Sequence, residues 1–111
     1  MERESLAEEV TQLHADICSG LADPRRILIL YAISTAPHNV SELARELGIS
    51  QPATSRHLKI LRERGMVSAT RHGTTVEYKL ADSRLITALD MLRDVLRDRI
   101  AYRAHLLEGD K

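Results

Sequence analysis

Between residues 41 and 64, two short helical segments are separated by only three residues, Gly48-Ile49-Ser50, and that spacing leaves few architectures open. Ser41 can cap the first segment, Glu42 to Leu47, which stops at Gly48. The second runs from Gln51 to about Arg64, with Pro52 in its first turn and Gly65 just beyond. Two helices joined by so short a glycine-containing turn predict a helix-turn-helix over 41–64. Leu43, Ala44, Leu47, Ile49, Ala53, Leu58 and Leu61 supply its inward set. Gln51, Ser55, Arg56, Lys59, Arg62 and Glu63 fall mostly on the outer face.

The period then changes. Met66–Arg71 and Thr75–Leu80 alternate loosely around His72-Gly73-Thr74, a glycine-containing hairpin turn, so 66–80 reads as a wing. On the other side, Asp23-Pro24 is an N-cap and first-turn pair for a short buried helix through Ile27–Ile33, closing before Pro37. Leu6, Val10, Leu13, Ile17 and Leu21 recur at helical spacing, so the first 20 residues read as an amphipathic helix whose end Gly20 loosens. From Asp82, a last helix is expected to run to about Leu107, with Glu108–Lys111 frayed. Its stripe of Leu85, Leu89, Leu92, Leu96 and Ile100 is widened by Ala88, Met91, Val95 and Tyr102. That face is broader than a small domain can cover, so helices 1–20 and 82–107 are expected to form a homodimer interface through Leu6, Val10, Leu13, Ile17, Leu85, Leu89, Leu92 and Leu96. The fold class is thus mainly α with a small β-hairpin: one winged helix-turn-helix domain over 1–111.

Composition agrees. Aromatic residues are three Tyr with no Phe or Trp, so the core must be aliphatic, which favours helices over a large sheet. Net charge is zero, yet 1–23 carries one base against six acids and 24–79 carries nine bases against four. A basic middle segment suits a polyanionic partner. The longest uncharged run, Ile27–Ser41, has 15 residues, short of the roughly 20 apolar residues of a membrane span. The acidic start Met1-Glu2-Arg3-Glu4 lacks the apolar stretch of a signal peptide, and a cytoplasmic protein is expected. One cysteine, Cys18, allows neither an internal disulfide nor a four-cysteine zinc cage.

These pieces together resemble the ArsR/SmtB-type winged-helix repressors. The resemblance rests on Leu21-Ala22-Asp23-Pro24-Arg25-Arg26-Ile27-Leu28 and on Ser41–Gln51. It continues through Ser55-Arg56-His57-Leu58-Lys59-Ile60-Leu61, Gly65-Met66-Val67 and the wing Arg71–Leu80. It covers about residues 20–80 in order and spacing. It implies a homodimer that occupies palindromic double-stranded operator DNA and is released or retuned by an effector, which the sequence does not identify.

A helix lying in the major groove offers its N-terminal half to base edges. Here that half presents Gln51, Thr54 and Ser55, with Arg56, His57 and Lys59 one turn on, Thr54 being open also to a half-core reading and His57 to packing or hydrogen-bonding at the helix flank; Arg71 and Thr74 at the wing tip can reach the adjacent minor groove or its backbone. A winged helix used to dock protein is the alternative from another class, but such a face should be apolar or aromatic, and this one is polar and basic. The resemblance also implies two familiar metal sites. At the first, Asn39-Val40-Ser41 carries no thiolate; at the second, Asp82 matches, but Arg84, Val95 and Asp98 occupy the other positions, and a guanidinium is hostile to a cation. No cofactor and no metal at those sites is expected. His14 and Cys18, four apart on the first helix, are the remaining candidates for a metal pair or an assisted thiolate, giving a redox- or metal-responsive repressor as the alternative; the other reading of the pair is an interfacial Cys with His14 beside it. His105 and Glu108 form a weaker His-x-x-Glu pair, in a place where a helix dipole already favours His. No glycine-rich phosphate loop or Ser-His-acid set is legible, so no enzyme is expected.

Overall fold

The computed structural model describes residues 3–109. Five helices and one hairpin follow in the order α1 (Arg3–Leu13), a π-turn (His14–Cys18), α2 (Pro24–Thr35), α3 (Val40–Leu47), α4 (Gln51–Glu63), β1 (Val67–His72), β2 (Thr75–Leu80) and α5 (Arg84–Gly109). The first helix is therefore not one regular α-helix over its first 20 residues. Five residues of wider π winding interrupt it before it ends at Gly20. Nor does Gly20 merely loosen an end. It is buried, and a Cβ there would meet the Met66 sulfur at 2.6 Å, so the missing side chain lets the helix end lie on Met66.

Local chemistry sets the remaining boundaries. Asp23 caps α2, accepting from the Arg25 amide at 2.9 Å, and Pro24 occupies the first turn, where no backbone donor is needed. The cap of α3 is Asn39 rather than Ser41. Asn39 accepts from the Glu42 amide and Glu42 accepts from the Asn39 amide, both at 2.8 Å, a reciprocal capping box. Gly48, at φ +68°, closes α3 in the left-handed region. Two residues later Ser50 caps α4, accepting from the Ala53 amide.

Ile29, Leu30 and Ile33 of α2 form the floor of the core, with Leu43 of α3 and Leu58 and Leu61 of α4 above them. Met66 and Val67 at the root of the hairpin and Leu89 of α5 close it. The hairpin pairs Val67 with Leu80 through His72 with Thr75, which leaves Gly73-Thr74 as a two-residue turn and puts His72 in a strand. Only Gly73 of that turn has positive φ, as a type II′ turn requires. His38 adds a single rung to the other strand edge, its amide donating to the Tyr78 carbonyl and its carbonyl accepting from the Tyr78 amide at 2.8 Å.

α5 meets this body only at its beginning. Leu89 is buried and Leu85 and Ile86 are half-buried, while every residue from 90 to 108 is exposed. Leu89 therefore belongs to the protomer's own core and not to a free interface face. Its turn of helix is held by Tyr31 of α2, whose hydroxyl donates to Asp90 at 2.6 Å beneath the Arg93 guanidinium. The helix continues to Gly109 instead of fraying from Glu108; the expectation for Asp110 and Lys111 lies outside the described residues. The radius of gyration is 17.5 Å, against about 13 Å for a compact chain of this length. The excess is the projection of α1 and α5.

Candidate nucleic-acid interface

α4 is the best-positioned surface helix in the molecule. Its inward arc of Thr54, His57, Leu58 and Leu61 is buried against α2 and α3, which fixes its rotation. What that rotation leaves outside is Gln51, Pro52, Ser55, Arg56, Lys59, Arg62 and Glu63, all exposed. No apolar side chain larger than proline interrupts the face. Its three cations outnumber its one acid, and among the described residues neither Arg56 nor Lys59 forms an ion pair. The first turn of the helix leaves just the Gln51 amide for an anion, since Pro52 has no N–H and Ser50 holds the amides of Ala53 and Thr54.

Two expected contact residues sit elsewhere. Thr54 has no exposed surface, and its hydroxyl donates to the Ser50 carbonyl at 2.8 Å. It is a core residue with a satisfied polar atom, so direct base contact by Thr54 is corrected. His57 is 7% exposed and faces inward, where Arg26 of α2 brings Nη1 to its Nδ1 at 3.4 Å. An accepting Nδ1 leaves the proton on Nε2, the neutral ring. Burial pushes the His57 pKa down; Asp23 opposes this, while Arg25, Arg26 and Arg56 add to it. His57 thus buttresses α4 from behind rather than touching a ligand in front.

Arg26 is the residue that sequence reasoning missed. Its Nε donates to the Gly20 carbonyl at 2.8 Å and its Nη2 to the Ser19 carbonyl at 3.2 Å, so one guanidinium ties the end of the first helix to the back of α4. No local pattern announces a contact that spans 31 residues. In the wing, Arg71 and Thr74 are exposed at the tip as expected, and His72 pairs with Glu77 at 3.3 Å.

The other candidate clusters lie outside α4 and the wing. His14 and Cys18 are both exposed and sit at opposite ends of the π-turn. Asp82 is occupied by Arg84, which donates to it from Nη2 at 2.7 Å. This pairing holds the Asp82 carboxyl at about 2, with the Arg84 side chain the main cause. His105 and Glu108 are exposed on the free part of α5. Among the described residues no three His, Cys, Asp or Glu side chains are grouped to hold a metal, and no helix is long and apolar enough to cross a membrane.

A helix-turn-helix with a polar, basic outer face and a hairpin beside it defines a winged-helix DNA-binding protein. The family model described as bacterial regulatory protein, arsR family, matches residues 23–69. Nodulation protein NolR of Rhizobium meliloti is 33% identical over 90 residues, which is 81% of this chain and 74% of that protein. The HTH-type transcriptional repressor SmtB of Mycobacterium tuberculosis is 38% identical over 77 residues, 69% of this chain but only 57% of the relative. In structure, NolR from Sinorhizobium fredii superposes with a TM-score of 0.72 at 30% identity, covering 86% of this chain and 93% of that one. The chain belongs to the arsR family of bacterial regulators. It is a DNA-binding transcriptional regulator and not an enzyme.

Proposed function

We propose that this protein is a homodimeric repressor that occupies a palindromic operator in the bacterial cytoplasm and blocks access to a promoter. The observation that carries the reading is the free face of α4: Gln51 and Ser55 offer hydrogen bonds to base edges, while Arg56 and Lys59 sit one turn on for phosphates. Arg71 and Thr74 of the wing reach the flanking backbone or minor groove. Dimerisation rests on α1 and α5. Leu6, Val10 and Leu13 on one, and Leu92, Val95, Leu96 and Ile100 on the other, are about half exposed or more, an apolar surface that water penalises until a second copy covers it. Two heads carried on one dimer can read half-sites about 34 Å apart. No metal is assigned to the family's two familiar places, because Asn39, Ser41, Arg84 and Val95 stand where donors are needed.

The test is retention of duplex DNA against salt. Wild type should lose affinity steeply as salt rises, and Arg56→Ala/Lys59→Ala should bind more weakly with a slope shallower by about one for each phosphate contact removed. A double variant that binds as tightly as wild type at the same salt overturns the DNA face assigned to α4.

A further inference from the structure

Gln51, the first residue of α4, does not project freely. Its Nε2 donates to the Ser41 hydroxyl of α3 at 3.1 Å, across the turn of the helix-turn-helix. Ser41 is free for this role because Asn39, two residues earlier, caps α3. Both side chains are exposed, on the same side as the basic face. The contact therefore adds little to folding, and its consequence lies in how the amide is presented.

We propose that Ser41 is a positioning residue that sets Gln51 to read adenine; the proposal rests on the DNA-binding reading of α4. A glutamine amide can face a base in either of two flips. With one Nε2 hydrogen held by Ser41, the second Nε2 hydrogen and the Oε1 lone pairs stay together on the outward edge. That edge, one donor beside one acceptor, matches adenine, whose N7 accepts and whose N6 amino group donates. Guanine presents two acceptors, N7 and O6, and would set O6 against Oε1.

A serine hydroxyl can also donate, which would hold the opposite flip. What selects the acceptor role is the use of its own hydrogen. Ser41 stands exposed at the start of α3 beside Gln51, where its hydroxyl hydrogen is free for a DNA phosphate. A hydroxyl that donates to that phosphate has only lone pairs left for Gln51. Phosphate, Ser41, Gln51 and adenine then form one chain of hydrogen bonds in which a contact without sequence information fixes the direction of one that has it. Threonine keeps the hydroxyl and can replace serine; alanine cannot.

Selection from a duplex library randomised across two half-sites tests this, with wild type, Ser41→Ala, Ser41→Thr and Gln51→Ala run side by side. Wild type should recover adenine at one position of each half-site, and Gln51→Ala should lose that preference. Ser41→Ala should reduce the adenine-to-guanine ratio there by about tenfold while leaving the other positions unchanged, and Ser41→Thr should restore it. Circular dichroism should show all four equally helical, since Asn39 and Ser50 supply the caps. If Ser41→Ala selects the same bases as wild type, or if it weakens every position equally, the role of Ser41 is overturned while DNA binding stands. If wild type selects no sequence at all, the DNA reading fails and this inference with it.

Discussion

α2 and α5 show how differently two helices of one small protein can be stabilised. α2 has 12 residues and buries Ile29, Leu30, Ala32 and Ile33, so neighbours on several sides hold it. α5 has 26 residues, about 39 Å of helix, and beyond Leu89 it touches little of its own chain. The body around α2 holds the buried core, whereas the arms α1 and α5 leave apolar side chains exposed, the surface on which the proposed dimer rests. Residues of the body should govern whether the chain folds, and residues of the arms whether it assembles.

The largest effect should follow from Leu58→Ala, which empties the middle of the core. A fully buried Leu costs about 2–5 kcal/mol when truncated, against a total stability of about 5–15 kcal/mol for a domain. Urea unfolding should show a much lower midpoint, and DNA binding should fall with it. Leu96→Glu should do the reverse. Leu96 is 55% exposed in the protomer, so the body should keep its helical content, while a charge placed in the dimer contact costs several kcal/mol and splits the assembly. Sedimentation should show a dimer for wild type and a folded monomer for the variant. A wild-type monomer at micromolar concentration would remove the contrast between body and arms.

A smaller effect should appear with pH. His57 has a lowered pKa in the fold, so below its ordinary value near 6.5 the unfolded chain takes up a proton that the folded chain refuses. Stability should therefore fall as pH drops through the window between those two values and level off beneath it. His57→Gln should lose that slope in urea titrations. Asp23 and Asp82, both held at about 2 chiefly by side-chain hydrogen bonds from Arg25 and Arg84, act lower, between about 4 and 2, where their protonation weakens the folded state. Smallest of all should be Thr54→Val. A methyl replaces a buried hydroxyl whose only partner is a carbonyl one turn away, so base preference should be unchanged and stability should move by less than about 1.5 kcal/mol. A changed base preference would return Thr54 to the contact surface.

The body was legible because its boundaries are written in local chemistry: Asp23-Pro24, Gly48 and Ser50 act on neighbours within one turn. Some of what was misplaced was also legible. Asn39 and Glu42 have the three-residue offset of a capping box, which Ser41 lacks, since its partner position is Ala44. Thr54 lies four residues before Leu58 and seven before Leu61, in the middle of the inward arc. Other features leave no such trace. Periodicity marks Leu89 and Leu92 as one stripe, and only tertiary packing decides that the first belongs to the core and the second to the outside. The reach of Arg26 to His57 depends on two helices meeting, which no stretch of sequence states.

The π-turn resolves a puzzle in the N-terminal stripe. Leu6, Val10, Leu13, Ile17 and Leu21 look like a single ribbon, yet the first three are exposed and the last two pack on the core. A π-turn advances the helix by less rotation per residue than an α-turn, so it changes the phase of everything beyond it. Passing His14–Cys18 turns the ribbon from one setting to another: upstream it lies open to solvent, downstream it is anchored at home beside Met66 and Arg26. The slip of winding acts as a swivel between foundation and arm. Deleting one residue there would return the segment to ordinary α winding with Leu6, Val10 and Leu13 facing nearly as they do now, because the five π residues fall short of α rotation by about one residue's turn.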